Sequence, residues 1–250
     1  MSGFWVLLMF ILASSIPAII VYVWYRAAHY PFSPVRFLVI LLIGATAFFP
    51  ALFLQNIFPR EIVVTGRWTL LSHVFLRIAL SEELSRLLVL FAYFKISRLI
   101  DPLGHISADK GGALNHGEKD FSPYTAATIG NDHEVILGTA AGLVAGLGLA
   151  ILESAAYGAS ATGIILFRLF TASPLHAACG ARVGSSAVLF RLHPARAFFR
   201  FLSAVVIHGF YNYMIVLSGL PSFAAVFIAI SALVSSIQSI RSGMSKNQSL

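Results

Sequence analysis

The sequence contains few charged residues and a single cysteine. Of its 250 residues, 11% are charged and 58% are hydrophobic, and the mean hydropathy is +0.85. Soluble globular domains carry about 25% charged residues, so this composition leaves no room for a large water-soluble domain. The lone Cys179 excludes an intramolecular disulfide framework and any metal site built on several cysteines. The composition therefore predicts an integral membrane protein.

The apolar residues form long unbroken runs rather than an alternating pattern. This arrangement excludes a transmembrane β-barrel, whose strands alternate apolar and polar residues. A membrane-crossing helix needs about 20 mostly apolar residues. The stretches that meet this requirement are about 3–25, 36–56, 69–94, 134–157, 162–183, 198–218 and 221–240. We predict an all-α fold, a polytopic transmembrane helical bundle of about seven spans that forms one membrane-embedded domain over residues 1–250 of a multi-pass protein in the cell membrane.

The basic residues indicate how this bundle is oriented. Lys and Arg concentrate in cytoplasmic loops, and here they concentrate in alternate loops. One predicted side carries Arg26, Arg36, Lys95, Arg98, Lys110, Lys119, Arg182, Arg191, Arg196, Arg200, Arg241 and Lys246, whereas the other carries Arg60 and Arg67. The N-terminus is therefore predicted outside and the C-terminus in the cytoplasm. The net charge of +7 is explained by orientation in the membrane and predicts no nucleic-acid partner.

Two further segments have patterns of their own. Residues 95–133 are rich in Gly, Asp, Ser and Asn, which predicts a flexible cytoplasmic loop. Three histidines of this loop, His105, His116 and His133, match no metal-binding spacing. In the fourth predicted span, Gly138, Gly142 and Gly146 share one helical face, and small residues at this spacing let two helices approach closely in lipid.

The stretch "LSEELSRLL", residues 80–88, places ionisable side chains inside an otherwise apolar span. Charges at this depth are unfavourable by about 2.5–3.5 kcal/mol each, so they are usually paired and functional. Arg86 lies four residues after Glu82 and three after Glu83, and either spacing allows an ion pair. One glutamate can be neutralised in this way, which leaves the other as a candidate proton acceptor.

Two histidines are predicted at a similar depth. Glu82 and Glu83 lie about 13 residues from the outer end of their span, His176 about 14 and His208 about 10. Nearer the outer surface, Glu153 and Arg168 are placed to form an ion pair between spans four and five. We therefore expect the two glutamates and the two histidines to converge near the middle of the bilayer.

This set of residues allows two kinds of hydrolytic chemistry. A glutamate can take a proton from water while imidazoles orient that water or stabilise an oxyanion. The same residue types can also bind zinc, leaving one position open for water. The carboxylates alone would also suit a proton-coupled transporter or channel. A bis-His haem protein and a scaffold that has lost its activity explain the residues less well.

The residues resemble the four motifs of the PrsW family of intramembrane proteases, distant relatives of the CAAX-prenyl protease and bacteriocin-processing (CPBP) group. The motifs are "EELSR" (82–86), "ESAAY" (153–157), "RLFTASPLHAACGARVG" (168–184) and "HGFYNY" (208–213), which lie in order within a core of about 69–218. Arg86 stands where the family usually has lysine. This change keeps the positive charge but removes the possibility of a neutral amine.

The resemblance implies a membrane-embedded peptidase that cleaves membrane-anchored proteins within the lipid bilayer. Site-1-type cleavage, with anti-sigma factors as a substrate class, is what it implies most specifically. It implies catalytic roles for Glu82, Glu83, His176 and His208. Supporting roles follow for Arg86, Glu153, Tyr157, Arg168 and Asn212. We favour glutamate-activated water with no metal cofactor. If zinc is bound, the predicted ligands are Glu83, His176 and His208.

Overall fold

The computed structural model describes residues 3–28, 30, 32–57, 66–100, 123–158, 164–217 and 219–248. Within these ranges every regular element is helical, which confirms the all-α prediction. The elements are α1 (Gly3–Ser14), α2 (Ile16–Ala27), α3 (Pro34–Thr46), α4 (Phe48–Ile57), α5 (Arg67–Ser72), a π-helix (His73–Ala79), α6 (Leu80–Ile100), α7 (Pro123–Gly158), α8 (Ile164–Leu189), α9 (Pro194–Val216) and α10 (Leu220–Gln248).

Among the described residues, five helical stretches are long and apolar enough to cross a membrane. They are Phe4–Ala27, Pro34–Ile57, Asp132–Tyr157, Pro194–Val216 and Pro221–Gly243. The described residues of the other two predicted spans, 69–94 and 164–183, are also helical, and they include Glu82, Glu83, Arg86 and His176. The multi-pass membrane character is thus confirmed, whereas the count of seven spans and the orientation stay predictions.

Residues with restricted or unusual backbone conformations mark several helix boundaries. Ser33 caps α3, since its Oγ accepts a hydrogen bond from the backbone N–H of Arg36 at 3.1 Å. Pro34 and Pro194 are the first residues of α3 and α9, a position where proline is favoured because no N–H is needed. Gly219 precedes α10 with a φ of 68°, in the left-handed region that glycine adopts most easily.

Helices extend into both ends of the predicted loop 95–133. In the structure α6 continues to Ile100 and α7 begins at Pro123. No proline or glycine interrupts residues 95–100, and a proline at 123 suits a helix start, so both helices extend past their apolar segments. Residues 101–122, which include His105 and His116, lie outside the described residues, and His133 lies in α7.

A π-helix directly precedes the glutamate pair. It covers His73–Ala79, and the N–H of Leu80 donates to the carbonyl oxygen of Phe75 five residues earlier. Such wide turns are rare and occur frequently at functional sites. The aromatic ring of Phe75 fills the space that a side chain at Gly209 of α9 would need. The π-helix therefore packs against α9 next to His208.

The closest helix pair of the described bundle is α7 with α8. A Cβ on Gly142 would overlap the carbonyl oxygen of Gly180, and a Cβ on Gly146 would overlap that of His176. Gly184 meets the backbone of Gly138 and Gly142 in the same way. The predicted close approach at this glycine face is thus confirmed, and it fixes the backbone of α8 at the histidine.

Helix α7 also packs closely against α3, on a different side from α8. Gly148 lies against the carbonyl oxygen of Leu41, and Gly44 lies against the backbone of Ala145. Helices α9 and α10 pack on α8, so α8 lies between α7 and this second pair. The buried core is built mainly from α7 and α8.

Candidate active site

Side chains from α6, α8 and α9 meet inside the bundle. Glu82, Glu83 and Arg86 come from the first turns of α6, His176 from α8 and His208 from α9, and each is at most 5% exposed. The two imidazole rings are nearly perpendicular, with ring centroids 5.2 Å apart. The structure thus brings together the four residues predicted to be catalytic. Their catalytic roles stay predictions.

Glu83 has protein partners at both carboxylate oxygens. Its Oε2 pairs with Nη1 of Arg86, and its Oε1 lies 2.7 Å from Nδ1 of His208. A carboxylate can only accept hydrogen bonds, so Nδ1–H of His208 is the donor. In the neutral ring, Nε2 of His208 is then a free acceptor. Glu83 is therefore the glutamate that Arg86 neutralises, and it also fixes the tautomer of His208.

Glu82 has one carboxylate oxygen without a partner. Its Oε1 accepts a hydrogen bond of 3.2 Å from Nε2 of Gln55 on α4. Its Oε2 is buried, has no hydrogen bond among the described residues and lies 3.7 Å from Nε2 of His208. This separation is too long for a direct hydrogen bond, but both atoms can reach a single water molecule placed beside them.

His176 has a protein partner at each ring nitrogen. Nη2 of Arg86 lies 3.1 Å from Nδ1, and Oε2 of Glu153 lies 2.5 Å from Nε2. Arginine can only donate, so Nδ1 accepts and Nε2 carries the hydrogen that faces Glu153. Arg86 therefore joins Glu83 to His176 and holds the ring in one orientation.

The predicted ion pair between Glu153 and Arg168 is confirmed. Nη2 of Arg168 lies 3.0 Å from Oε2 of Glu153, and its Nε donates to Oγ of Ser154 at 3.3 Å. The guanidinium carbon lies 4.3 Å from the ring centroid of Tyr157, a cation–π arrangement. From its position in the sequence, Glu153 was expected nearer the outer surface than the site. In the structure, Oε2 of Glu153 also contacts His176. Glu153 and Arg168 thus form one wall of the site.

Gln55 is a site residue that the sequence analysis did not identify. Its amide reaches Glu82, and its backbone oxygen accepts a hydrogen bond of 3.0 Å from Nε of Arg77 in the π-helix. Arg77 is thus held by the backbone of α4 within the bundle. The available signal was an amide side chain in the apolar stretch "ALFLQNI", which is unusual enough in a membrane span to indicate a specific partner.

Several other polar groups around the site are buried without hydrogen bonds to described residues. They include the hydroxyl groups of Ser81, Ser85 and Ser173, and Nε of Arg86. Buried polar groups are usually satisfied by protein or by internal water. The interior is therefore polar enough to hold water. The side chain of Asn212, one turn after His208, forms no hydrogen bond within the described part of the chain, so its supporting role stays a prediction.

Three side chains also have a geometry suited to a metal ion. Glu82, His176 and His208 each offer one ligand atom, and these atoms lie within 4.8 Å of one another. The carboxylate in this group is Glu82, not the Glu83 of the predicted zinc set, because Glu83 is held by Arg86 and His208. One carboxylate and two imidazoles fit zinc, and no described residue competes for Oε2 of Glu82 through a hydrogen bond. His176 would have to release Arg86 or Glu153 to take part.

The chain matches one protein family over most of its length. Residues 33–237 match the family described as PrsW family intramembrane metalloprotease. This range includes α3 to α9, most of α10 and every residue of the site described above. A comparison with curated proteins gives no match, and a comparison with solved structures also gives none.

Proposed function

Since the chain belongs to the PrsW family of intramembrane metalloproteases and is a multi-pass membrane peptidase, we propose that it hydrolyses peptide bonds of membrane-anchored proteins with water activated by Glu82. One observation carries this assignment of the base. Oε2 of Glu82 has no hydrogen bond to any described residue and lies 3.7 Å from Nε2 of His208, whereas Glu83 is held by Arg86 and His208.

In the first step, water lies between the free oxygen of Glu82 and Nε2 of His208. It donates one hydrogen bond to each acceptor, which leaves its oxygen lone pairs free to attack the scissile carbonyl carbon. Glu82 takes the proton as the new C–O bond forms. The protonated Glu82 then delivers this proton to the departing amine as the C–N bond breaks, so the carboxylate is restored.

The remaining residues hold this arrangement in place. Glu83 keeps Nδ1 of His208 protonated and so keeps Nε2 available to the water. Arg86 balances the charge of Glu83 and fixes His176, whose other nitrogen is held by Glu153. Stabilisation of the oxyanion by His176, one of the two imidazoles expected to do so, requires its N–H to turn toward the substrate carbonyl.

A zinc ion fits this site, and Glu82, His176 and His208 are the residues that would hold it. When bound, zinc supplies a Lewis acid for the scissile carbonyl and for the attacking water. We favour the base role of Glu82. The metal content of active enzyme decides between the two modes, because full activity in metal-free protein would rule out an essential zinc.

The proposed substrates are single-span membrane proteins cut in a site-1-type reaction, with anti-sigma factors as one class. Substrate that reaches this site must enter between helices, because the reacting groups are at most 5% exposed. Family membership favours hydrolysis over the proton-coupled transporter or channel that the sequence also allowed. The two histidines are accounted for by hydrolysis and not by carboxylate-based proton transport alone.

The test is cleavage of co-expressed single-span proteins by wild type and by the variants Glu82→Gln, His176→Ala and His208→Ala. We expect Glu82→Gln to lower the cleavage rate at least about 100-fold, the range that a general base contributes. Glu134→Gln, the same chemical change in α7 away from the site, serves as the matched control. Wild-type cleavage by well-folded Glu82→Gln protein would refute the assignment of the base.

A further inference from the structure

A cavity lies at one end of the bundle, away from the candidate active site. Its volume is about 670 Å³. It is lined by Asp132, Val135, Leu189, Leu192, His193, Arg196, Phe199, Arg200 and Ser203. Arg196 precedes His208 by twelve positions in α9, which corresponds to about 18 Å along the helix. The cavity is therefore remote from the reacting groups and lies where α8 ends and α9 begins.

Two arginines face this cavity from one side of α9. Arg196 and Arg200 are four residues apart, so their side chains lie on the same helical face, where like charges repel. Neither forms an ion pair with the described residues, and Asp132 is the only acidic residue of the lining within those ranges. His193 adds a further nitrogen donor. An anion between these groups would relieve the repulsion.

A smaller polar cavity adjoins the first at Arg200. Its volume is about 30 Å³, and it is lined by Thr139, Ala181, Arg182, Arg200, Ser235, Ser236 and Ser239. Arg182 is already fixed there, since its Nη1 donates to Oγ of Ser236 at 2.9 Å and to the carbonyl oxygen of Ala178 at 3.0 Å. Arg200 is thus shared by a pocket of hydroxyl groups and by the larger cavity.

Apolar side chains also line this cavity. Phe199 is 67% exposed, and the ring of Phe198, which is also exposed, lies 5.7 Å from it. Leu189 and Leu192 complete the apolar part of the wall. Basic groups next to exposed aromatic rings at a helix end suit the boundary between lipid headgroups and acyl chains.

We propose that this cavity binds an anionic phospholipid, with its phosphate between Arg196 and Arg200 and its acyl chains against Phe199. The positive-inside rule explains basic residues at this end of the bundle, but it does not require two of them on one wall of a cavity. Three features together favour a bound anionic headgroup. They are the cavity, the two arginines that form no ion pair with the described residues, and the adjoining pocket of hydroxyl groups. This site is independent of the proposed peptidase mechanism.

The test measures lipid selectivity of the full-length protein in detergent. Native mass spectrometry after incubation with equal amounts of short-chain phosphatidylglycerol and phosphatidylcholine gives the ratio of the two bound lipids. We expect wild type to retain phosphatidylglycerol about 30-fold over phosphatidylcholine, the factor that two basic side chains contribute at an anionic surface. Arg196→Gln combined with Arg200→Gln should reduce this ratio to about onefold.

The matched control combines Arg191→Gln with Arg241→Gln. It removes the same charge from the same predicted side of the membrane, and neither residue lines either cavity. We expect this control to keep at least half of the wild-type ratio. An equal loss in both double variants would overturn the proposal in favour of a diffuse basic surface, and no selectivity in wild type would overturn it outright. Displacement of phosphatidylglycerol by equimolar inorganic phosphate would reassign the cavity to a free anion.

If the double variant does not give monodisperse protein, the single Arg196→Gln variant takes its place. Its expected ratio is about fivefold, because one of the two basic side chains remains. A single variant with the full wild-type ratio would contradict the proposal. Peptidase activity is not a readout here, so failure of the mechanism and failure of this site can be told apart.

Discussion

Glu83 and Arg86 form an ion pair whose two side chains are fully buried. Such a pair contributes little net stability when intact, but loss of one partner leaves an uncompensated charge in the interior. Glu82 differs, because its Oε2 has no charged partner within hydrogen-bonding distance among the described residues. The two neighbouring carboxylates therefore have separate tasks, one mainly structural and one available for chemistry.

Glu83→Gln should destabilise the protein much more than Glu82→Gln. The first substitution leaves Arg86 without its carboxylate and should lower the free energy of unfolding by roughly 3–5 kcal/mol. The second should change it by less than about 1 kcal/mol, since it removes no ion pair. Unfolding in increasing concentrations of SDS, followed by circular dichroism, measures both. Equal destabilisation by the two variants would contradict the division of roles.

Gln55→Met should slow cleavage while leaving substrate binding nearly unchanged. The amide holds Oε1 of Glu82, and hydrogen bonds to charged groups contribute about 1.5–3 kcal/mol. If this bond positions the base, kcat should fall about 10-fold to 100-fold with KM within about twofold. Asn56→Leu is the control, because that amide donates to the carbonyl oxygen of Leu52. A fall in kcat of the same size in the control would show a general defect of α4.

The glycine interface between α7 and α8 determines where His176 lies. Gly146 contacts the backbone of His176 directly, so there is no flexible side chain between them to absorb a change. The π-helix acts on the opposite side of the site, where Phe75 packs on Gly209 beside His208. A backbone contact at Gly146 and a contact of the Phe75 ring at Gly209 thus help to place the two imidazoles.

Gly146→Ala should therefore impair both stability and activity. Its Cβ would overlap a backbone oxygen that cannot rotate away, which predicts a loss of about 1–3 kcal/mol and a displaced His176. Gly243→Ala offers a matched control, since its Cβ would meet only the side chain of Ile136. SDS unfolding and cleavage rate, measured on both variants, test this expectation. Unchanged cleavage in Gly146→Ala would show that His176 tolerates the shift.

Much of the bundle follows from the sequence, because apolar length and buried charge are strong constraints in lipid. The helices, the convergence of the glutamates with His176 and His208, and the pair of Glu153 with Arg168 were all predicted. Which glutamate pairs with Arg86 was not, because spacings of three and four residues both allow contact and the side-chain rotamers decide. The second contact of Glu153 was missed because depth counted along straight helices resolves only about one turn.

Other features left weaker signals. The π-helix is hidden because apolar residues on all sides of a span give no period that separates α from π turns. Gln55 lies in a predicted span that contains none of the four family motifs. Only its polarity within an apolar stretch could have indicated a role in the site. The π-helix and Gln55 both precede Glu82 and Glu83 in the sequence, and both lie outside α6, the helix that carries these glutamates.

The orientation of the whole bundle gives a further prediction. Basic residues on alternate loops place the C-terminus in the cytoplasm. A green fluorescent protein fused to the C-terminus should therefore fluoresce, and alkaline phosphatase fused there should be inactive. The same reporters fused at Gly219, before α10, should give the opposite result. Active phosphatase at the C-terminus would show an even number of spans or the reverse orientation.

The pairing of charges also bears on how the chain enters the membrane. Glu83 and Arg86 lie within one turn of α6, so they can neutralise each other inside a single inserting helix. Glu153 and Arg168 lie on consecutive helices, so that pair forms only when α7 and α8 enter as a hairpin. Each unpaired charge would oppose insertion by about 2.5–3.5 kcal/mol. Glu83 and Glu153 can thus enter the bilayer already paired with arginine. The carboxylate of Glu82 gains its polar contacts only when the bundle has assembled.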